Sequence, residues 1–121
     1  MIKKLLSGAL ALALSGGLAW GVMSIDRIVP QGTAPALTSC GTTPAINGTD
    51  LAGTVTMGTG TPTGCVITFN VAYPFAPHCV VTWIATPLAS QSYVTSTTAI
   101  TLTQTATNSN VAKYVCFSAT S

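Results

Sequence analysis

From Gly53 onward the chain alternates apolar and polar residues in short runs with a period of two, the signature of half-buried β-strands. Gly53–Gly58 sets Val55 and Met57 against Thr54 and Thr56. Cys65–Tyr73 places Cys65, Ile67, Phe69 and Val71 on one face. Cys79–Ala85 does the same with Cys79, Val81 and Trp83. Tyr93–Thr95 is a short strand. Ala99–Thr105 opposes Ile100 and Leu102 to threonines, and Val111–Ser118 turns Tyr114 and Cys116 one way, Val115 and Phe117 the other. Turn chemistry separates the runs: TGTPTG, PFAP, PLASQS and ATNSN. No stretch after Leu37 carries a helical period. About six short strands with turns between them predict an all-β fold, a small antiparallel β-sandwich of jelly-roll-like type. Trp83, Phe69 and Tyr114 are expected in its core.

The first residues differ. Met1–Lys4 is a short basic start, Leu5–Leu14 is apolar, and the small residues SGGLAWG follow. This reads as a secretory signal peptide, or as a retained signal anchor, in helical form over residues 1–21. Residues 22–39, with prolines at 30 and 35, read as a linker, and 40–121 as the folded domain. Either form of the leader places the domain outside the cytoplasm: secreted, periplasmic or surface-displayed, and membrane-bound only through a retained anchor.

Composition removes several function classes. Charged residues are 5% of the chain, against roughly a quarter in ordinary soluble proteins. Lys3 and Lys4 lie in the leader, and beyond it Asp26, Arg27, Asp50 and Lys113 cancel. No basic stripe exists for a phosphate backbone, so nucleic acid is not an expected partner. There is no Glu, so a pair of acidic residues for hydrolysis cannot be assembled in the domain. His78 and Asp50 are the only partners for a nucleophilic serine, and no G-x-S-x-G elbow is present. No catalytic residue, cofactor or metal site is expected.

Cys40, Cys65, Cys79 and Cys116 are even in number and follow an export signal, which predicts two disulfides. C-x-x-C spacing, for zinc or for redox chemistry, is absent. Three pairings exist. If the strands that begin at Cys65 and Cys79 are antiparallel neighbours, the two cysteines lie ~25 Å apart, too far to bridge. The other two pairings stay open, with Cys40–Cys65 and Cys79–Cys116 preferred. Threonine dominates the outward positions, and few charges guard the strand edges, so either the edges are covered or the chain associates with copies of itself.

Asp50, in NGTDLAG, suits a turn that caps its own backbone, or a ligand contact. Tyr73 and Phe75 flank the proline turn and are candidates for an exposed contact. Asn47-Gly48-Thr49 matches the N-x-[ST] acceptor pattern.

The segments C-G-x-x-P (Cys40–Pro44), G-x-D-x-A-G-x-V-T (Gly48–Thr56), C-x-x-T-F (Cys65–Phe69), A-P-x-C (Ala76–Cys79) and Y-x-C (Tyr114–Cys116) resemble a small four-cysteine β module. That module recurs in uncharacterised phage and environmental-virus proteins. The arrangement strand, F-x-P, strand is also similar to trimeric phage-fibre tips and H-type-lectin-like sandwiches. The resemblance implies a non-catalytic structural or adhesive surface module, a homo-oligomer that in the fibre-tip form is a trimer and meets a surface glycan or receptor. A carbohydrate-binding module that uses exposed aromatics and Asp50 is the alternative.

Overall fold

The structure is a computed structural model that describes residues 32–86 and 89–120. The expected leader helix (1–21) and residues 22–31 of the linker lie outside the described residues. Eight strands follow in order: β1 (Ala36–Thr38), β2 (Ala45–Gly48), β3 (Ala52–Thr56), β4 (Gly64–Thr68), β5 (His78–Trp83), β6 (Ser92–Thr95), β7 (Ala99–Thr103) and β8 (Val111–Phe117). They form two four-stranded antiparallel sheets, ordered β1-β4-β7-β6 and β2-β3-β8-β5. In a jelly roll the first and last strands run side by side; here β1 and β8 lie in different sheets, so the wiring differs from that expectation. Only β2–β3 and β6–β7 are hairpins. Every other connection passes from one sheet to the other.

The period-two pattern accounts for the core. Ile67 and Cys65 of β4, with Ile100 and Leu102 of β7, face Val55, Val81, Ala112, Tyr114 and Cys116 of the second sheet. Met57, Phe69 and Cys40 complete the cluster from just beyond the strand ends. Each large aliphatic side chain buried here contributes on the order of 1.5–3 kcal/mol. The opposite faces mix threonine with valine: Thr54, Thr56, Thr101, Thr103 and Thr82 keep hydroxyls at the surface on a β-branch that suits the pleat, while Val80, Val94 and Phe117 are exposed apolar side chains.

Three local expectations change. Val71 is 73% exposed rather than inward, because β4 ends at Thr68 and the chain turns at Asn70. Trp83 is half-buried against the core, at the sandwich edge, with its ring 6.5 Å from that of Tyr93. Strand β1 forms inside the stretch read as linker and pairs with β4, Leu37 opposite Ile67.

Both disulfides close, Cys40–Cys65 and Cys79–Cys116. Cys79 and Cys116 are register partners on β5 and β8. The preferred pairing is the observed one, but its premise is not: β4 and β5 belong to different sheets and are not neighbours.

Edges are short or covered. β1, β2 and β6 have three or four residues. The longest edge strand, β5, lies beside β6, and the Tyr93 hydroxyl donates to the Cys79 carbonyl at 3.0 Å. Brevity and cover are both ways of blunting an edge without charge. Gly58 allows another close approach. A Cβ there would sit 2.0 Å from the Thr42 carbonyl oxygen, at the bridge that pairs Thr42 with Thr59.

Candidate functional site

The sandwich has two differently built ends. At the upper end, loops 57–63, 84–86 and 104–110 meet around two buried amides. The Gln104 side chain donates to the Pro62 and Thr107 carbonyls, at 3.0 and 3.1 Å. The Asn110 side chain donates to Gln104 Oε1 at 2.8 Å and to the Thr86 carbonyl at 3.2 Å, and accepts from the Thr86 and Val111 amides. Gln104 is 3% exposed and Asn110 fully buried. Their polar groups are satisfied, so this network fixes loops at little desolvation cost.

At the lower end the chain collects the residues that the sequence suggests for chemistry. The tip of the β2–β3 hairpin, Thr49–Leu51, is gripped from three sides. Asp50 accepts from the Asn70 amide at 2.8 Å and the Val71 amide at 3.0 Å, one on each carboxylate oxygen. The Asn70 side chain lies 3.4 Å from the same carboxylate and donates to the Thr33 carbonyl at 2.6 Å. The Tyr73 hydroxyl donates to the Asp50 carbonyl at 3.0 Å, and the Tyr114 hydroxyl to the Thr49 carbonyl. Thr49 Oγ1 accepts from the Leu51 amide at 3.2 Å.

Asp50 therefore does not cap its own turn, as the sequence suggests; Thr49 does that. Asp50 instead ties its hairpin to the loop that leaves β4, 20 residues on. A carboxylate held by two backbone amides makes charge-assisted bonds, stronger than neutral ones.

The two tyrosines are positioned by strand geometry. Tyr114 is opposite Gly53 in the β3–β8 register. Its ring lies over the glycine: a Cβ on Gly53 would meet the hydroxyl oxygen at 2.7 Å and a ring carbon at 2.9 Å. Tyr73 packs edge-on against Phe69, centroids 4.9 Å apart. Burial first, then the negative charge of Asp50, pushes the Tyr73 phenol above its ordinary range. Tyr114 is pushed up strongly for the same two reasons, with a smaller contribution from Tyr73.

The three residues expected to touch a ligand thus separate. Asp50 and Tyr73 come together, with their polar atoms bonded within the fold. Tyr73 is half-buried rather than exposed. Phe75 is 46% exposed on the loop between β4 and β5. His78 is exposed at the start of β5, paired with Phe117. Asn47 of the acceptor pattern is exposed on the edge strand β2. It helps to line an open depression of about 500 Å³, together with Ala45, Ile46, Thr54 and Thr56, none of them titratable. Among the described residues no three His, Cys, Asp or Glu side chains gather as a metal site.

Asn70, Gln104 and Asn110 carry no motif in the sequence: Asn70 and Gln104 fall inside the alternating runs Cys65–Tyr73 and Ala99–Thr105, and Asn110 closes the ATNSN turn.

Comparison with models of known families, with curated proteins and with solved structures finds no match to this chain.

Proposed function

We propose that this chain is an exported, non-catalytic structural or adhesive module. It is displayed on a virion or cell surface and works as a homo-oligomer, in the manner of a phage-fibre tip. The observation that carries the reading is the use made of the polar residues at the lower end. The carboxylate of Asp50 and the hydroxyls of Tyr73 and Tyr114 are all bonded to backbone groups of neighbouring loops. They serve shape, which is what a presented surface needs, rather than standing free to move protons. Two disulfides in so small a domain are compatible with an oxidising, extracytoplasmic compartment. The nearly uncharged outer faces, which mix threonine with exposed valine, suit packing against further copies.

Native mass spectrometry of the purified chain tests the reading. A discrete homo-oligomer, a trimer in the fibre-tip form, is expected. A monomer at every concentration would refute it. If that monomer bound glycans, and lost them on Phe75→Ala, the carbohydrate-binding alternative would take its place. Turnover of a substrate abolished by His78→Ala would restore an enzyme.

A further inference from the structure

The lower end has a second property. Val71 is 73% exposed, Phe117 54% and Phe75 46%, and all three stand at this end. The loop from Ala72 to Ala76 adds exposed Ala72, Pro74 and Ala76. His78, paired with Phe117, fixes where β5 begins, so the loop and the end of β8 share one tip. Val80, 56% exposed, extends the apolar surface one pair up β5. From Asn70 to His78 there is no Asp, Glu, Lys or Arg. The carboxylate nearby, Asp50, is held by the amides of Asn70 and Val71. Among the described residues the loops of the opposite end, 59–61 and 105–109, are Thr, Gly, Ala, Asn and Ser, and Ile84, 50% exposed, stands beside them as a single large apolar side chain.

The N-terminal chain enters the fold at the same tip. The Thr33 carbonyl accepts from the Asn70 side chain, and Gly32 lies beside Thr49. Upstream, Leu5–Ile25 is a run of 21 residues without charge, about the length that spans a bilayer. Residues 26–31 join the two. Six residues reach at most ~22 Å at ~3.3–3.6 Å each. A retained leader would therefore hold the apolar tip within that distance of the membrane surface.

We propose that this tip seats in the interfacial zone of a lipid bilayer, with Val71, Phe75 and Phe117 turned toward the acyl boundary. The inference rests on the exported-module reading in its anchored form. A bilayer fits better than a second copy because Val71 and Phe75 sit on a loop and Phe117 at a strand end, all beside the anchor's entry point. The contact is non-ionic: it takes zwitterionic lipid as readily as anionic lipid, and it does not weaken with salt.

The experiment uses the full chain, reconstituted into phosphatidylcholine nanodiscs with Phe75→Trp as reporter. The parent chain supplies the Trp20 and Trp83 background. Intact mass confirms that both disulfides are closed and the leader present. Emission from position 75 is expected to shift to the blue and to be quenched by lipids brominated near the headgroup, equally at low and high salt. Val71→Ser with Phe117→Ser should reverse the shift. Water-like, unquenched emission would overturn the proposal, as would an intact mass showing the leader cleaved in chain isolated from its source. So would association of copies, lost on Phe75→Ser, without lipid contact. None of these results touches the exported-module reading, which falls with a non-associating monomer. Such a monomer that still touches lipid would sink the oligomer and leave this contact standing.

Discussion

Replacing a cysteine pair by alanine tests whether the bridges constrain the chain as their positions require. The loops they close span 25 and 37 residues, and they follow one another along the chain without overlapping. Loop-closure entropy then gives about 3.5 kcal/mol for Cys40–Cys65 and about 3.8 kcal/mol for Cys79–Cys116. Entropy separates the two by only about 0.3 kcal/mol, so packing decides their order. Cys40 and Cys65 are both buried, 1% and 2% exposed, whereas Cys79 on the edge strand is only partly buried. Cys40→Ala with Cys65→Ala should therefore cost at least as much as Cys79→Ala with Cys116→Ala, despite the shorter loop. For a domain of this size ~3.5 kcal/mol lowers the melting temperature by about 15–25 °C. Removing both pairs takes away ~7 kcal/mol, a large share of the 5–15 kcal/mol that holds a typical domain. Differential scanning calorimetry of the three variants reads all of this. A melt within a couple of degrees of the parent for either pair would refute the reasoning, because β5 and β8 or β1 and β4 would then hold their register without the sulfur bridge.

Tyr114→Phe leaves the buried Thr49 carbonyl without its donor and should cost about 1–3 kcal/mol in urea unfolding. Because the phenols of Tyr114 and Tyr73 titrate above their ordinary range in the fold, the unfolded chain ionises first. Their contribution is complete below pH ~10 and is lost as pH rises beyond it, by up to ~1.4 kcal/mol per pH unit for the buried Tyr114 and by less for the more open Tyr73. Tyr114→Phe should make that alkaline fall, followed by circular dichroism, shallower. Asp50→Asn replaces one acceptor by an amide that faces another donor; a loss of roughly 1–2 kcal/mol is expected, with faster hydrogen exchange at the Asn70 and Val71 amides. Gly53→Ala puts a methyl group into the Tyr114 ring and should destabilise by about 1–3 kcal/mol in the same urea assay, with part of that loss relieved when Tyr114→Ala is added.

The fold class was legible because a two-residue period needs only local sequence. β3, β4, β5, β7 and β8 fall within a few residues of their alternating runs, and Val55, Ile67, Ile100, Leu102 and Tyr114 face inward as the period demands. β1 and β2 were invisible for the same reason. Three residues with one inward side chain, Leu37, and four residues that follow Pro44 are too short to show a period. They become strands because β4 and β3 offer them partners. The lower-end cluster was half legible. Asp50 and Tyr73 stood out by residue type, but their partners are backbone groups about 20 residues away, and nothing in a local pattern pairs a carboxylate with the amides of a distant turn. The tilt of Tyr73 toward Phe69, which removes it from the surface, also depends on the turn at Asn70 that ends the β4 run early.

The choice of polar groups follows from the scarcity of charge. With few ionic side chains available, loops at one end are joined by two neutral amides and at the other by one carboxylate and two phenols. Hydrogen bonds of these kinds act at contact distance, where mobile ions do not intervene, so ionic strength has little hold on the fold. The cost is that nothing on the outer faces repels a neighbouring molecule. Lys113 points outward from β8 between the cross-strand partners Thr54 and Thr82, with Val111 and Val115 on either side along its own strand. A surface of that kind keeps its shape across changing salt and offers little electrostatic opposition to a neighbouring molecule. Shape retention and the absence of repulsion come from the same compositional choice, and both are what the proposed displayed, self-packing module would require.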